Sequence, residues 1–246
     1  MDQPDLARPA WYAGIARPSP LPALTRAQAR ALDRIAVDEF HLPTIVLMEH
    51  AAIALADAVL ETCRRLDTTG VLIAVGPGSN GGDGLAAARL IHNAGVDVLI
   101  AMLAPPTTGD ALTQWKIVQA MGLRAVPWRQ AAGDDMLERP PLVILDAVFG
   151  TGLSRAPEGE AASFIGLLNT LHQSSPLNYV IAADIPSGLD ADTGEPIGPT
   201  VIAGRTITFA APKLGFTNPG AAHYTGQVTV ADLGIPAEIL DRVARE

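Results

Sequence analysis

Nine residues, Gly76-Pro77-Gly78-Ser79-Asn80-Gly81-Gly82-Asp83-Gly84, constrain this chain more than any others, because they separate an apolar run, Val71 to Val75, from the helical pattern of Leu85 to Ile91. A strand, a glycine-rich turn and a helix in that order open a parallel α/β unit. Five glycines in nine positions let the backbone come close to a bound molecule, and the first turn of the next helix points free N–H groups at it. The alternation continues beyond. Apolar runs at about 71–75, 96–103, 142–145 and 179–183, with a short one near 123–127, are separated by helical patterns at about 83–94, 108–121 and 160–173; strands near 205–210 and 227–231 complete the sheet. Continuous apolar strands of this kind are covered on both faces. The expected class is α/β with a mostly parallel sheet. Two helices precede it: Thr25 and Gln28 form a capping-box pattern for one running to about Phe40, and a second runs from near Pro43, tolerated in the first turn, to about Leu66.

A chain of 246 residues that is 48% hydrophobic and only 17% charged can bury one substantial core, so residues 23–246 read as a single domain. Residues 1–22 hold five prolines and no sustained period, and read as a flexible arm. Trp11 and Tyr12 either dock that arm or are solvated with it. The net charge of −9 argues against a broad nucleic-acid surface, which needs clustered Lys and Arg. The single cysteine, Cys63, allows no internal disulfide and suits a reducing cytoplasm. No apolar stretch approaches a membrane span, so a soluble, unexported protein without a membrane partner is expected. The histidines at 41, 50, 92, 172 and 223 have no ligand spacing, and no zinc site is expected.

Gly76, Gly78 and Gly81 satisfy G-x-G-x-x-G, yet the dinucleotide fingerprint also wants an acidic residue at the end of the second strand, and that strand ends in Ala104-Pro105-Pro106. No Gly-Lys-Ser/Thr follows for a phosphate loop, and there is no G-x-S-x-G elbow. The stretch instead carries Asn80 and Asp83, a pair suited to a cation or a sugar-like polar group beside any anion. Two further polar clusters follow predicted strands directly: Asp146-Ala147-Val148-Phe149-Gly150-Thr151-Gly152-Leu153 and Asp184-Ile185-Pro186-Ser187-Gly188-Leu189-Asp190. All three belong at the carboxyl edge of the sheet, where open α/β sheets bind ligands. Asp146 and Asp184 each follow an apolar run and should emerge at that crevice, paired, metal-bound or shifted in pKa. Taken singly, each could equally cap a helix, and Ser187 after Pro186 could be a turn residue. Lys213 is a secondary phosphate candidate, although an exposed loop lysine is ordinarily only solvated. Trp115 and Trp128 read as packing residues.

The order of these clusters, with Leu47-Met48-Glu49 before them and Thr206-Ile207-Thr208-Phe209 and Pro212-Lys213-Leu214-Gly215 after them, resembles the YjeF N-terminal domain family. The resemblance covers nearly the whole chain beyond the arm. It implies a Rossmann-like three-layer α/β/α sandwich, usually a homodimer, that interconverts the R and S forms of hydrated NADH and NADPH (NADHX and NADPHX) at carbon 6 of the nicotinamide ring beside a potassium ion. Carried over by position, Asn80, Asp146 and Ser187 are the implied potassium ligands. Ser79, Asn80, Gly81, Gly82 and Asp83, with Gly150, Thr151, Gly152, Leu153, Ser154, Arg155 and Ala156, are the implied substrate lining, and Asp184 contacts the substrate and is the first candidate for proton transfer. An amide oxygen, a carboxylate and a hydroxyl form a donor set for a hard cation. Ser79 stands where the family commonly has a second Asn, and His50 and Ala52 where Asn and Gly are common. Many bacterial relatives carry a fused dehydratase, so a separate NAD(P)HX dehydratase is expected as pathway partner. Relatives of this fold also serve as non-catalytic nucleotide-binding or scaffolding modules, which have no need of Asn80, Asp83, Asp146, Asp184 and Ser187 together.

Overall fold

A computed structural model describes residues 21–245 of the chain. Its elements run α1 (Arg26–Asp38), α2 (Thr44–Leu66), β1 (Gly70–Val75), α3 (Ser79–Asn93), β2 (Asp97–Met102), α4 (Gly109–Ala120), β3 (Ala125–Pro127), α5 (Trp128–Ala131), β4 (Val143–Ala147), α6 (Gly159–Ser174), β5 (Tyr179–Ala183), β6 (Arg205–Phe209), α7 (Ala222–Thr225), β7 (Gln227–Ala231) and α8 (Ala237–Val243). The seven strands form one sheet in the order β3-β2-β1-β4-β5-β6-β7. Every pairing is parallel, where a mostly parallel sheet was expected.

The alternation of side chains along a strand builds the three layers. Val71, Ile73 and Val75 of β1 pack with Leu55 and Val59 of α2, Leu85 and Ile91 of α3 and Val118 of α4. Leu72 and Ala74 face the opposite way, toward Trp128 of α5 and Phe164, Ile165 and Leu168 of α6. Trp128 is a packing residue, stacked on Phe164 with ring centroids 5.4 Å apart. A third cluster joins Leu32 and Ile35 of α1 to Leu47 and Ala51 of α2, Ala210 and Ala211 beyond β6, and Ile239 and Leu240 of α8. The capping box at α1 is present in both directions, Thr25 Oγ accepting from the Gln28 N–H and Gln28 Oε1 from the Thr25 N–H. Pro43 is the N-cap of α2, one position before the first turn in which it was expected. The arm with Trp11 and Tyr12 lies outside the described residues.

The glycine segment differs from the expected loop. Helix α3 begins at Ser79, so Asn80, Gly81, Gly82, Asp83 and Gly84 are helical and only Gly76 to Gly78 form the turn. Close packing is the reason. A Cβ on Gly81 would lie 1.8 Å from the Gly76 carbonyl oxygen, one on Gly84 2.6 Å from the Ala147 Cβ, and one on Gly82 2.6 Å from the Met48 Cε. Each glycine costs a free helix about 1 kcal/mol. Here that cost is offset by bringing the helix start against the ends of β1 and β4.

Candidate active site

Strand order reverses between β1 and β4, since β2 and β3 lie to one side of β1 and β5 to β7 lie beyond β4. The connections leaving β1 and β4 therefore diverge, and the gap between them is the crevice of a doubly wound sheet. They start in tight contact: a Cβ on Gly76 would fall 1.9 Å from the Val148 carbonyl oxygen. No side chain caps the start of α3, so its first N–H groups remain available to an anionic group.

Beneath the crevice, Asp146 and Ser187 form a closed pair. The Ser187 hydroxyl donates to Asp146 Oδ1 at 2.6 Å, the Ser187 N–H to Oδ2 at 2.8 Å and the Val148 N–H to Oδ1 at 3.2 Å. Ser187 Oγ also accepts the Phe149 N–H at 2.8 Å, so this pair ties the turn after β4 to the segment after β5. Both residues are fully buried. Burial raises the Asp146 carboxyl to about 6, with the three hydrogen bonds opposing it. Asn80 lies against the same turn, its Oδ1 within 3.2 Å of where a Gly150 Cβ would be. Both polar atoms of its amide are buried without a hydrogen-bond partner among the described residues.

A cleft opens above in two lobes. One, of about 550 Å³, is bounded by Pro77 to Asn80 and by the turn from Val148 to Arg155. The other, of about 340 Å³, has apolar walls from Leu32, Leu47, Met48, Ala51 and Leu233. The lobes meet at Asp33, Ser79, Asp83, Thr151, Asp184 and Phe209, which line both. Asp184 follows β5 with φ +65°, a left-handed conformation that a non-glycine residue holds at a cost. Its Oδ1 accepts the Lys213 ammonium at 2.6 Å and the Phe209 N–H at 3.2 Å. Lys213, a secondary phosphate candidate at a position where a lysine is ordinarily solvated, is 3% exposed, and also donates to Thr208 Oγ1 at 2.9 Å and the Phe209 carbonyl at 3.2 Å. Its buried carboxylate partner keeps the ammonium in place. Asp83 is pushed well above the carboxylate range, first by burial and then by the charges of Asp184 and Asp33.

The expected residues divide accordingly. Ser79, Asn80, Asp83, Asp184 and Gly150 to Arg155 line the cleft. Gly81 and Gly82 are packing contacts beneath it, and Ala156 faces Gly198 outside it, 3.1 Å from where a Cβ there would be. Asp146 and Ser187 do not reach the crevice surface foreseen for Asp146; they brace its floor. Two cleft residues were missed or misjudged. Lys213 lacked only a partner in view, whereas nothing along α1 separates Asp33 from Asp38 or Glu39 in sequence.

The family of the YjeF-related protein N-terminus matches residues 44–215. The "NAD(P)H-hydrate epimerase" of Rhodopirellula baltica is 38% identical over 89% of this chain and 87% of its own length. That of Limosilactobacillus fermentum is 36% identical over 85% of this chain and 96% of its own. The "Bifunctional NAD(P)H-hydrate repair enzyme Nnr" of Moorella thermoacetica is 38% identical over 88% of this chain, which spans 41% of that protein. A crystal structure of yeast ynu0, YNL200c, superposes with a TM-score of 0.74 at 20% identity, covering 91% of this chain and 93% of the yeast chain, and supports the fold alone. Both the extent of the matched segment and the identity to full-length relatives lead to one conclusion: the chain belongs to the YjeF-related protein N-terminus family.

Proposed function

We propose that this protein is an NAD(P)H-hydrate epimerase, interconverting the R and S forms of NADHX and NADPHX. The observation that carries the reading is the cleft itself: a polar lobe and an apolar lobe meet at three carboxylates in a chain 36–38% identical to proteins of that name. A dinucleotide offers the matching chemistry, with phosphates for the uncapped start of α3 and a nicotinamide ring for the apolar lobe. Carbon 6 of the hydrated ring bears the ring nitrogen and a hydroxyl. When that hydroxyl takes a proton it leaves as water, the nitrogen lone pair forms an iminium bond, and water can add to either face. The chain must then hold and move protons at that oxygen, and Asp184 is the first group placed to do so.

The donor set fits a potassium ion. Asn80 offers a buried carbonyl oxygen with no partner, Ser187 Oγ keeps one lone pair after its two strong bonds, and Asp146 adds negative charge. These three residues would hold the ion, which when bound supplies positive charge beside the cleft. We expect potassium chloride to raise the melting temperature over choline chloride, and Asn80→Ala to abolish the increment. A homodimer is inherited from the resemblance and is tested by the mass in solution. No described helix is long and apolar enough to cross a membrane, and a cytoplasmic location with an NAD(P)HX dehydratase completing repair follows the same reading.

Chromatographic measurement of purified R- and S-NADHX interconversion, with and without protein in potassium buffer, tests the activity. Acceleration above the spontaneous rate is expected. A folded protein that gives none would move the function to nucleotide binding or scaffolding.

A further inference from the structure

We propose that Asp33, midway along α1, is the second proton-transfer group of the epimerisation, acting across the cleft from Asp184; this rests on the epimerase reading above. Inversion at carbon 6 breaks a C–O bond on one ring face and forms one on the other. The departing hydroxyl takes a proton from a carboxylic acid and leaves as water, while the incoming water gives a proton to a carboxylate. One proton thus passes from one group to the other per turnover, and the reverse reaction exchanges their roles. A single carboxylate on one wall does not reach both faces.

Three carboxylates line both lobes, Asp33, Asp83 and Asp184, and their surroundings separate them. Asp184 is engaged by Lys213 and the Phe209 N–H. Asp83 lies inside the first two turns of α3 and is 8% exposed, and burial pushes its carboxyl well above the usual carboxylate range. Asp33 remains solvent-exposed at the mouth where the lobes join, and no hydrogen bond among the described residues engages its carboxyl. It is free to exchange protons with a ligand. Protein nevertheless walls it closely enough that burial, and then the charge of Asp184, push it up to about 6, against Lys213. Contact with cleft water moderates this push until a ligand displaces that water. The other charges on the same cleft are Arg30 of α1 itself, Arg155 of the turn after β4, and Asp110 of α4.

Helix α1 is also fixed to the segments that carry the partner groups. Its Arg26 guanidinium meets Asp190 at 2.7 Å, on the stretch that begins with Asp184. The Leu24 N–H donates to the Pro212 carbonyl at 2.8 Å and its carbonyl accepts the Leu214 N–H at 2.7 Å, on either side of Lys213. These three contacts hold the start of α1 against the segments after β5 and β6, so that Asp33 lines the same cleft as Asp184, and the capping box secures the helix start.

The test compares wild type, Asp33→Asn and Asp33→Glu of the full chain on R-NADHX in potassium buffer from pH 5 to 9, with spontaneous epimerisation subtracted and melting temperature and KM measured alongside. Asp33→Asn should lower kcat on the order of 100-fold or more with KM little changed. The wild-type fall in rate as pH rises through the upper apparent pKa of the pair should vanish in Asp33→Asn and return, displaced, in Asp33→Glu. A wild type that does not accelerate epimerisation sinks the epimerase reading and this one with it. An active wild type whose Asp33→Asn variant keeps the rate, or is slowed but keeps the same pH limb, overturns the role of Asp33 alone. Should the asparagine variant not fold, Asp33→Glu decides: a limb left unmoved contradicts the assignment.

Discussion

Asp146 and Asp184 begin alike and end differently. Each belongs to the carboxyl edge of the sheet and follows an apolar run. Asp146 still lies within β4, with extended backbone, and both its oxygens are taken by Ser187 and the Val148 N–H. Asp184 lies one residue past β5, in the left-handed region, where its carboxyl turns toward Lys213 and the cleft. A difference of two residues in where the strand stops separates a group that holds two connections together from one that faces the cleft. The first suits a structural or cation-holding role and the second a reactive one.

The sharpest way to break this contrast is by rate. Asp184→Asn is expected to slow NADHX interconversion on the order of 10²- to 10⁴-fold, the usual reach of a positioned acid or base. The fold should survive, because Lys213 keeps Thr208 Oγ1 and a backbone carbonyl as acceptors. Asp146→Asn at saturating potassium should be slowed far less. Equal losses with substrate binding intact in both variants would erase the distinction.

A stability measurement sharpens the other side. Asp146→Ala strands the Ser187 and Val148 N–H groups in a fully buried setting, at about 1–3 kcal/mol for each lost partner. A loss of about 3 kcal/mol is expected in denaturant unfolding, or roughly 6–12 °C in melting temperature for a domain of this size. A change below about 1 kcal/mol would mean that water replaces the carboxylate and that the pair is not a brace.

The sequence made the frame of the molecule readable because its signals are periodic. Strands buried on both faces are continuous apolar runs, as β1, β2, β4 and β5 are, and β3, β6 and β7 also lie where short strands were expected. The start of α3 was misplaced because glycine normally argues against helix, and only the third dimension reveals Gly76, Ala147 and Met48 pressed against Gly81, Gly84 and Gly82. Lys213 was legible as a residue and illegible in its setting, since its partner lies on the connection leaving a different strand. Asp33 left no local signal: its neighbours Arg30, Arg34 and Asp38 are as polar as it is, and its position in the cleft follows from how α1 docks on Asp190 and the Pro212–Leu214 backbone. The motif residues carry the floor and one wall of the site, while the opposite wall is a product of packing.

Asp83 gives the smallest expected effect and the clearest sign. In the folded protein its pKa is raised, first by burial and then by Asp184 and Asp33, so above the ordinary carboxylate range of about 4 the unfolded chain has lost a proton that the folded chain retains. Stability therefore falls as pH rises from that range toward the folded pKa. Asp83→Asn removes the titration without changing the shape of the side chain, so its melting temperature should match wild type near pH 4 and exceed it at pH 8. Each kcal/mol recovered reads as about 2–4 °C. The sign runs opposite to that of Asp146→Ala: three hydrogen bonds oppose the burial of Asp146, whereas Asp83 is kept at the fold's expense. Such a cost is sustained where the group serves the ligand, so the stabilised Asp83→Asn variant should bind NADHX more weakly at pH 8, measured by its displacement of a fluorescent nucleotide. A variant that is more stable and binds equally well would leave Asp83 as a packing residue.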